Sequence, residues 1–149
     1  MKTFGIAAKL TTLMVFLLIS SCAIAPMKGY VGPDLPSDKM AIIENGVYVD
    51  IEKYDGINLG FFQNSVAVLP GNHTIEVAFR NQLFESFVLY SEHTAMVKFV
   101  AKAGHTYVVY AHVTGYYEWQ ARVIDKKSGD QITNSETLPL IREWIHTTF

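Results

Sequence analysis

Five histidines and a single cysteine are the strongest ligand and nucleophile types in this chain. Imidazole nitrogen and thiolate sulfur hold zinc or copper when the fold converges three or four of them. His73, His93, His105, His112 and His146 never fall two or four residues apart, so no single strand or helix presents a ligand pair. His73, His93 and His105 stand at turns beside strand starts, and only tertiary folding would bring them to one metal. The expected role is plainer: turn-edge histidines cap backbone groups or face solvent. Asp125-Lys126-Lys127-Ser128-Gly129-Asp130 puts acids at both ends of a short loop, but two lysines replace the alternating oxygen ligands of a calcium loop. A hairpin turn is expected there. No G-x-S-x-G elbow occurs. Glu76, Glu85, Glu118 and Glu143 are acid/base types, and period-two parity sets Glu76 and Glu118 on a polar strand face. No catalytic residue and no cofactor are therefore expected, and the chain does not read as an enzyme. Tyr110, Tyr116, Tyr117 and Trp119 fall on adjacent strands or their linking turn. Exposed, they would stack on sugar or grip a partner chain; core packing is the competing use.

The cysteine has a more specific setting. Lys2 and Lys9 precede an apolar run, Leu10–Ile19, and no acidic residue occurs before Asp34. Charged start, apolar run and small residues are the layout of a secretory signal. As a helix the run would span about 15 Å, roughly half a hydrocarbon core, too short for a stable membrane span. Ile19-Ser20-Ser21-Cys22 closes it. This tetrapeptide resembles the bacterial lipobox, a branched apolar residue and two small ones before cysteine. The resemblance implies cleavage between Ser21 and Cys22, acylation of the Cys22 thiol, and acylation of the new amino terminus. Several acyl chains anchor stably where one binds reversibly. The alternative is an ordinary cleaved signal ending near Ala25, with Cys22 discarded. Ala23 stands where an Asp would resemble an inner-membrane retention signal, so the expected address is the bacterial envelope, at the outer membrane facing the periplasm.

Composition bounds the rest. Without residues 1–21 the chain is one domain's worth, enough for a single core. The formal charge of −2 becomes more negative once Lys2 and Lys9 leave, and no basic stripe remains for nucleic acid. One cysteine excludes an internal disulfide framework. Eight Tyr, nine Phe and two Trp favour half-buried sheet faces.

The elements that position these residues follow from period and punctuation. Ala23–Lys39 carries Pro26, Gly29, Gly32, Pro33 and Pro36, which oppose helix and sheet pairing, so residues 22–39 read as a lipidated flexible tether. Met40–Glu44 and Val47–Tyr54 read as strands joined by a tight Asn45-Gly46 turn, and Asp55-Gly56 turns the chain again. Asn64–Leu69 ends at Pro70-Gly71, the residues of a type II turn. His73–Arg80, Leu83–Tyr90 and Thr94–Lys102 are extended in character. Thr106–Val113 is apolar on both faces, as a central strand would be, and Tyr117–Asp125 alternates again. Leu140, Ile141, Trp144 and Ile145 shift to helical spacing, with Thr137 placed to cap and Pro139 in a first turn. The expected fold is mainly β: a small antiparallel β-sandwich over residues 40–149 with a short C-terminal helix, behind a signal peptide at 1–21.

The runs VAVLPGNHTIEVAFR, FVAKAGHTYVVYAHV and WQARVIDKKSG share turn and core positions with small bacterial envelope modules. Pro70-Gly71-x-His73, Gly104-x-x-Tyr107 and Trp119 to Asp125 before Ser128-Gly129 carry the likeness. Over about residues 40–132 the chain resembles PEGA-type and related lipoprotein domains of unknown function. The resemblance implies a surface or envelope β-sandwich and supplies no catalytic residues. The expected function is an envelope-anchored, non-enzymatic structural or protein-interaction module, with the membrane and an envelope protein as partners. The alternative is a periplasmic ligand- or metal-binding lipoprotein. Globomycin is expected to make the precursor accumulate, and Cys22→Ser to block cleavage and lipidation; normal processing of that variant would exclude the anchor.

Overall fold

Period-two alternation becomes two large sheets facing a common interior. The computed structural model describes residues 25–60, 64–80, 82–83 and 87–144. Its strands are β1 (Met27–Lys28), β2 (Ala41–Asn45), β3 (Val49–Tyr54), β4 (Ile57–Asn58), β5 (Ser65–Val68), β6 (Gly71–Phe79) and β7 (Gln82–Leu83). The remainder are β8 (Phe87–Tyr90), β9 (Ala95–Ala101), β10 (Thr106–Gly115), β11 (Glu118–Asp125), β12 (Gln131–Asn134), β13 (Leu138–Pro139) and β14 (Ile141–Trp144). The first sheet runs β1-β5-β2-β10-β11-β12, with β13 also on β11; the second runs β4-β3-β6-β9; a small third sheet is β14-β8-β7. The protein is thus mainly β, and β10 sits between β2 and β11, as its two apolar faces require.

Alternation places the core. Ile75, Val77 and Phe79 of β6 and Val97, Phe99 and Ala101 of β9 are buried, as are Val109 of β10 and Trp119, Ala121 and Val123 of β11. They join one cluster fed by both large sheets. Phe79 and Trp119 meet edge-on across it, centroids 5.6 Å apart. Each such aliphatic side chain contributes about 1.5–3 kcal/mol on burial.

Two expected turns behave differently. Asp55-Gly56 is a tight hairpin turn: φ is +45° and +79°, and Tyr54 pairs Ile57 across it. Positive φ at both central residues matches the twist of the flanking strands. Asn45-Gly46 is not a hairpin, a correction to the sequence reading. It passes the chain from β2 in one sheet to β3 in the other. The Gly46 N–H donates to Val109 O at 2.6 Å, and a Cβ at Gly46 would lie 2.5 Å from that oxygen. Close backbone approach is what needs glycine there.

Three further expectations are corrected. The sheet is not purely antiparallel: β2 pairs β10 in parallel, and β1 pairs β5 in parallel. The chain visits the second sheet between β2 and β10, which allows the parallel return. The segment expected as a loose tether is fastened to the body from Met27 onward. There, Met27 and Lys28 pair Val66 and Ala67, Gly29 N donates to Ala67 O at 2.8 Å, and Tyr30 Oη accepts from Leu35 N. The C-terminal helix does not form over the described residues. Leu138–Pro139 pairs β11, Leu140 N donates to Tyr117 O, and Ile141–Trp144 pairs Tyr90–Phe87. Ladder bonds offered by β8 and β11 outweigh a helical spacing only one turn long. Residues 145–149 and the leader, with Cys22, lie outside the described residues. Gly46→Ala is expected to cost about 1–3 kcal/mol in denaturant unfolding by forcing Cβ against Val109. Gly60→Ala, with nothing within 4 Å, is expected to leave stability unchanged.

Candidate functional site

The titratable groups that the sequence singled out resolve into two histidine–aspartate pairs at one end of the body. His73, near the start of β6, is buried beneath the β3–β4 turn. Its Nε2–H donates to Leu69 O at 2.7 Å, and Nδ1 lies 2.8 Å from Asp55 Oδ2 and 2.7 Å from Tyr54 Oη. Leu69 at Nε2, and Asp55 with Tyr54 at Nδ1, give both ring nitrogens partners. Tyr54 and Asp55 also hydrogen-bond each other. Asp55 also takes the Thr74 N–H at 2.7 Å and donates its own N–H to Thr74 O. Burial alone would raise the Asp55 pKa; the Thr74 amide, His73 and Tyr54 overcome it and hold the carboxyl below the usual carboxylate range. Burial, and then the Asp55 charge, push the Tyr54 phenol well up.

His105, just before β10, mirrors this. Its Nδ1–H donates to Asp125 Oδ2 at 2.6 Å, and Asp125 Oδ1 accepts from Lys127 N at 2.9 Å. Asp125 is buried at the end of β11. Its pKa is held low although burial opposes this, because His105 and the Lys127 and Ser128 amides stabilise the anion. Rings connect the two pairs across the interior: His73 to Phe99 at 6.4 Å, Phe99 to Tyr107 at 5.2 Å and Tyr107 to His105 at 6.2 Å. The His73 and His105 turns thus share more than turn chemistry, since each histidine takes an aspartate from the far end of a neighbouring strand. With both nitrogens of His73 committed, it works as a clamp rather than a proton shuttle.

The remaining histidines lie apart. His93 is exposed in the turn before β9, His112 is half-buried on β10, and His146 lies outside the described residues. The fold does not bring His73, His93 and His105 to one point, and among the described residues no three of His, Cys, Asp and Glu gather in metal-binding geometry.

The aromatic group divides. Trp119 is fully buried in the core, and its Nε1 finds no acceptor among the described residues. It is a packing residue, a correction to its place in a ligand surface. Tyr110 is half-buried, whereas Tyr116 and Tyr117 form the β10–β11 turn, Tyr117 at φ +67°. Beside them stands a pair the sequence did not single out. Phe87 and Trp144 meet edge-on with centroids 5.8 Å apart, and the Arg142 guanidinium lies over both rings, 4.0 and 3.9 Å from their centroids, donating to Tyr117 Oη at 2.8 Å. Strand geometry puts Arg142 and Trp144 on one face, which a helical reading of 140–145 hid. A cleft of about 780 Å³ opens elsewhere, lined by Asn45, Asp50, Asn58, Phe79, Arg80 and Ser91 among others. Arg80 spans it to Asp50 with Nη2–Oδ1 at 2.5 Å.

No helix of the described residues is long and apolar enough to cross a membrane. No protein-family model, curated protein or solved structure matches this chain.

The clamps set an acid limit. A carboxyl with a depressed folded pKa contributes stability that is full above its unfolded pKa of about 4 and is lost as pH falls through the folded value. Unfolding midpoints are expected to hold from neutral pH to about pH 5 and drop below about pH 4. Asp125→Asn is expected to lower the neutral midpoint and flatten that drop.

Proposed function

We propose that the chain is an envelope-anchored lipoprotein whose body, a small β-sandwich, acts as a non-enzymatic structural or protein-interaction module. The observation that carries this reading is Ile19-Ser20-Ser21-Cys22 placed shortly before a chain already paired to the body at Met27. Cleavage before Cys22 would leave the acylated terminus next to the first strand. The His73–Asp55 pair supports the non-enzymatic half, because both ring nitrogens and the carboxylate are engaged by Leu69, Tyr54 and Thr74 within the body. The positive-φ glycines Gly71, which opens β6 where the sequence predicts a type II turn, and Gly104 fit the PEGA-like resemblance, and Ala23 in place of an Asp supports an outer-membrane site facing the periplasm.

A second reading, a periplasmic ligand carrier, is favoured by the cleft at Asp50 and Arg80. In-cell photocrosslinking from the surface of β9, at Met96 or Val100, is expected to capture one envelope protein in a manner that requires Cys22. Capture unchanged by Cys22→Ser would count against the anchored module. A saturable small-molecule titration lost in Arg80→Ala would favour the carrier.

A further inference from the structure

The two ends of the body differ in kind. One carries the histidine–aspartate clamps. The other carries the β10–β11 hairpin, with Tyr116 96% exposed at its tip, Tyr117 beside it, Trp144 54% exposed and Arg142 lying over the Phe87 and Trp144 rings. Val47 and Tyr48, also exposed, lie partway along the same face, where Ala111 N donates to Val47 O.

Strand directions bring the described chain in from the same end. β1 is parallel to β5, β5 antiparallel to β2, and β2 parallel to β10. The register carries Met27 across Val66 and Ile43 to Tyr107. Followed backward from Met27, the chain therefore heads the way β10 heads, towards Tyr116. Cys22 precedes Met27 by five residues, a leash of at most about 18 Å. From Tyr107 to Gly115, β10 runs about 26 Å in the same direction. The hairpin therefore projects past the longest reach of the leash.

We propose that the Tyr116 end of the body rests in the headgroup layer of the membrane to which Cys22 is anchored. The inference rests on the lipoprotein reading above. Tyr and Trp rings settle where an apolar body meets a polar layer. Glu118 and Glu143 are exposed at this end, so ring insertion rather than attraction to anionic lipid supplies the binding.

The chain has two tryptophans, of which Trp119 is buried, so Trp144 reports on this end. The full processed protein is reconstituted in phosphatidylcholine vesicles whose acyl chains are brominated near the headgroup, after intact-mass analysis of its amino terminus. Trp144 emission is expected to be quenched, with little change on adding anionic lipid. Trp144→Phe should abolish the quenching, and Ile57→Trp in that background, at the clamp end, should stay bright. A lipidated protein with unquenched Trp144, or with Ile57→Trp quenched as strongly, overturns the placement and leaves the anchor standing. A mature chain without lipid at Cys22 that ignores vesicles overturns both. One without lipid that still binds and is quenched keeps the placement and removes the anchor.

Discussion

The two large sheets hold together because alternate residues of each are apolar and face the same interior, and Phe79 against Trp119 is a ring contact that joins them. β6 and β11 belong to different sheets, so this edge-on pair helps set their spacing towards the hairpin end of the core. Burying Trp119 leaves its indole N–H without an acceptor among the described residues, a cost of about 1–3 kcal/mol that ring packing offsets. Gly46 belongs to the same constraint, because the chain crosses between sheets there only by lying against the Val109 carbonyl.

At the clamp end, polar groups are drawn into the interior but not left free. Tyr54, His73 and Asp55 tie the β3–β4 turn to β6, and His105 with Asp125 ties the start of β10 to the end of β11. The row from His73 through Phe99 and Tyr107 to His105 joins the clamps across the two sheets. At the opposite end, rings and one arginine are left at the surface, and β1 enters the body from that side. A body with one sealed end and one aromatic end is suited to standing on a surface, and the lipoprotein reading supplies the surface.

Much of this architecture was legible in the sequence because period two is a local signal. The buried face of β6, Ile75, Val77 and Phe79, and that of β11, Trp119, Ala121 and Val123, follow from alternation alone. Asp55-Gly56 was legible because the φ demand of a tight hairpin is also local. Asn45-Gly46 misled because the same dipeptide serves close backbone approach, which depends on Val109, far along the chain. Residues 138–144 misled because Leu140, Ile141 and Trp144 do fall at helical spacing, whereas the strand form is decided by pairing with β8 and β11, distant in sequence. The docking of Met27 and Gly29 was hidden by prolines that argue against pairing; a two-residue strand needs no proline-free run. For the candidate site, His73 and His105 were marked as turn residues, but their partners Asp55 and Asp125 lie 18 and 20 residues away and meet them only through strand pairing. Arg142 and Trp144 were concealed by the helical reading of the same stretch.

Hydrogen exchange at the Gly29 amide measures most directly how the amino-terminal segment is held to the body. That N–H bonds the Ala67 carbonyl at 2.8 Å, one residue after β1. It is expected to exchange as slowly as the paired amides of β5, which fixes the leash at the few residues before Met27. Exchange at the rate of a free chain would mean a loose tether through to Lys39 and would contradict the account.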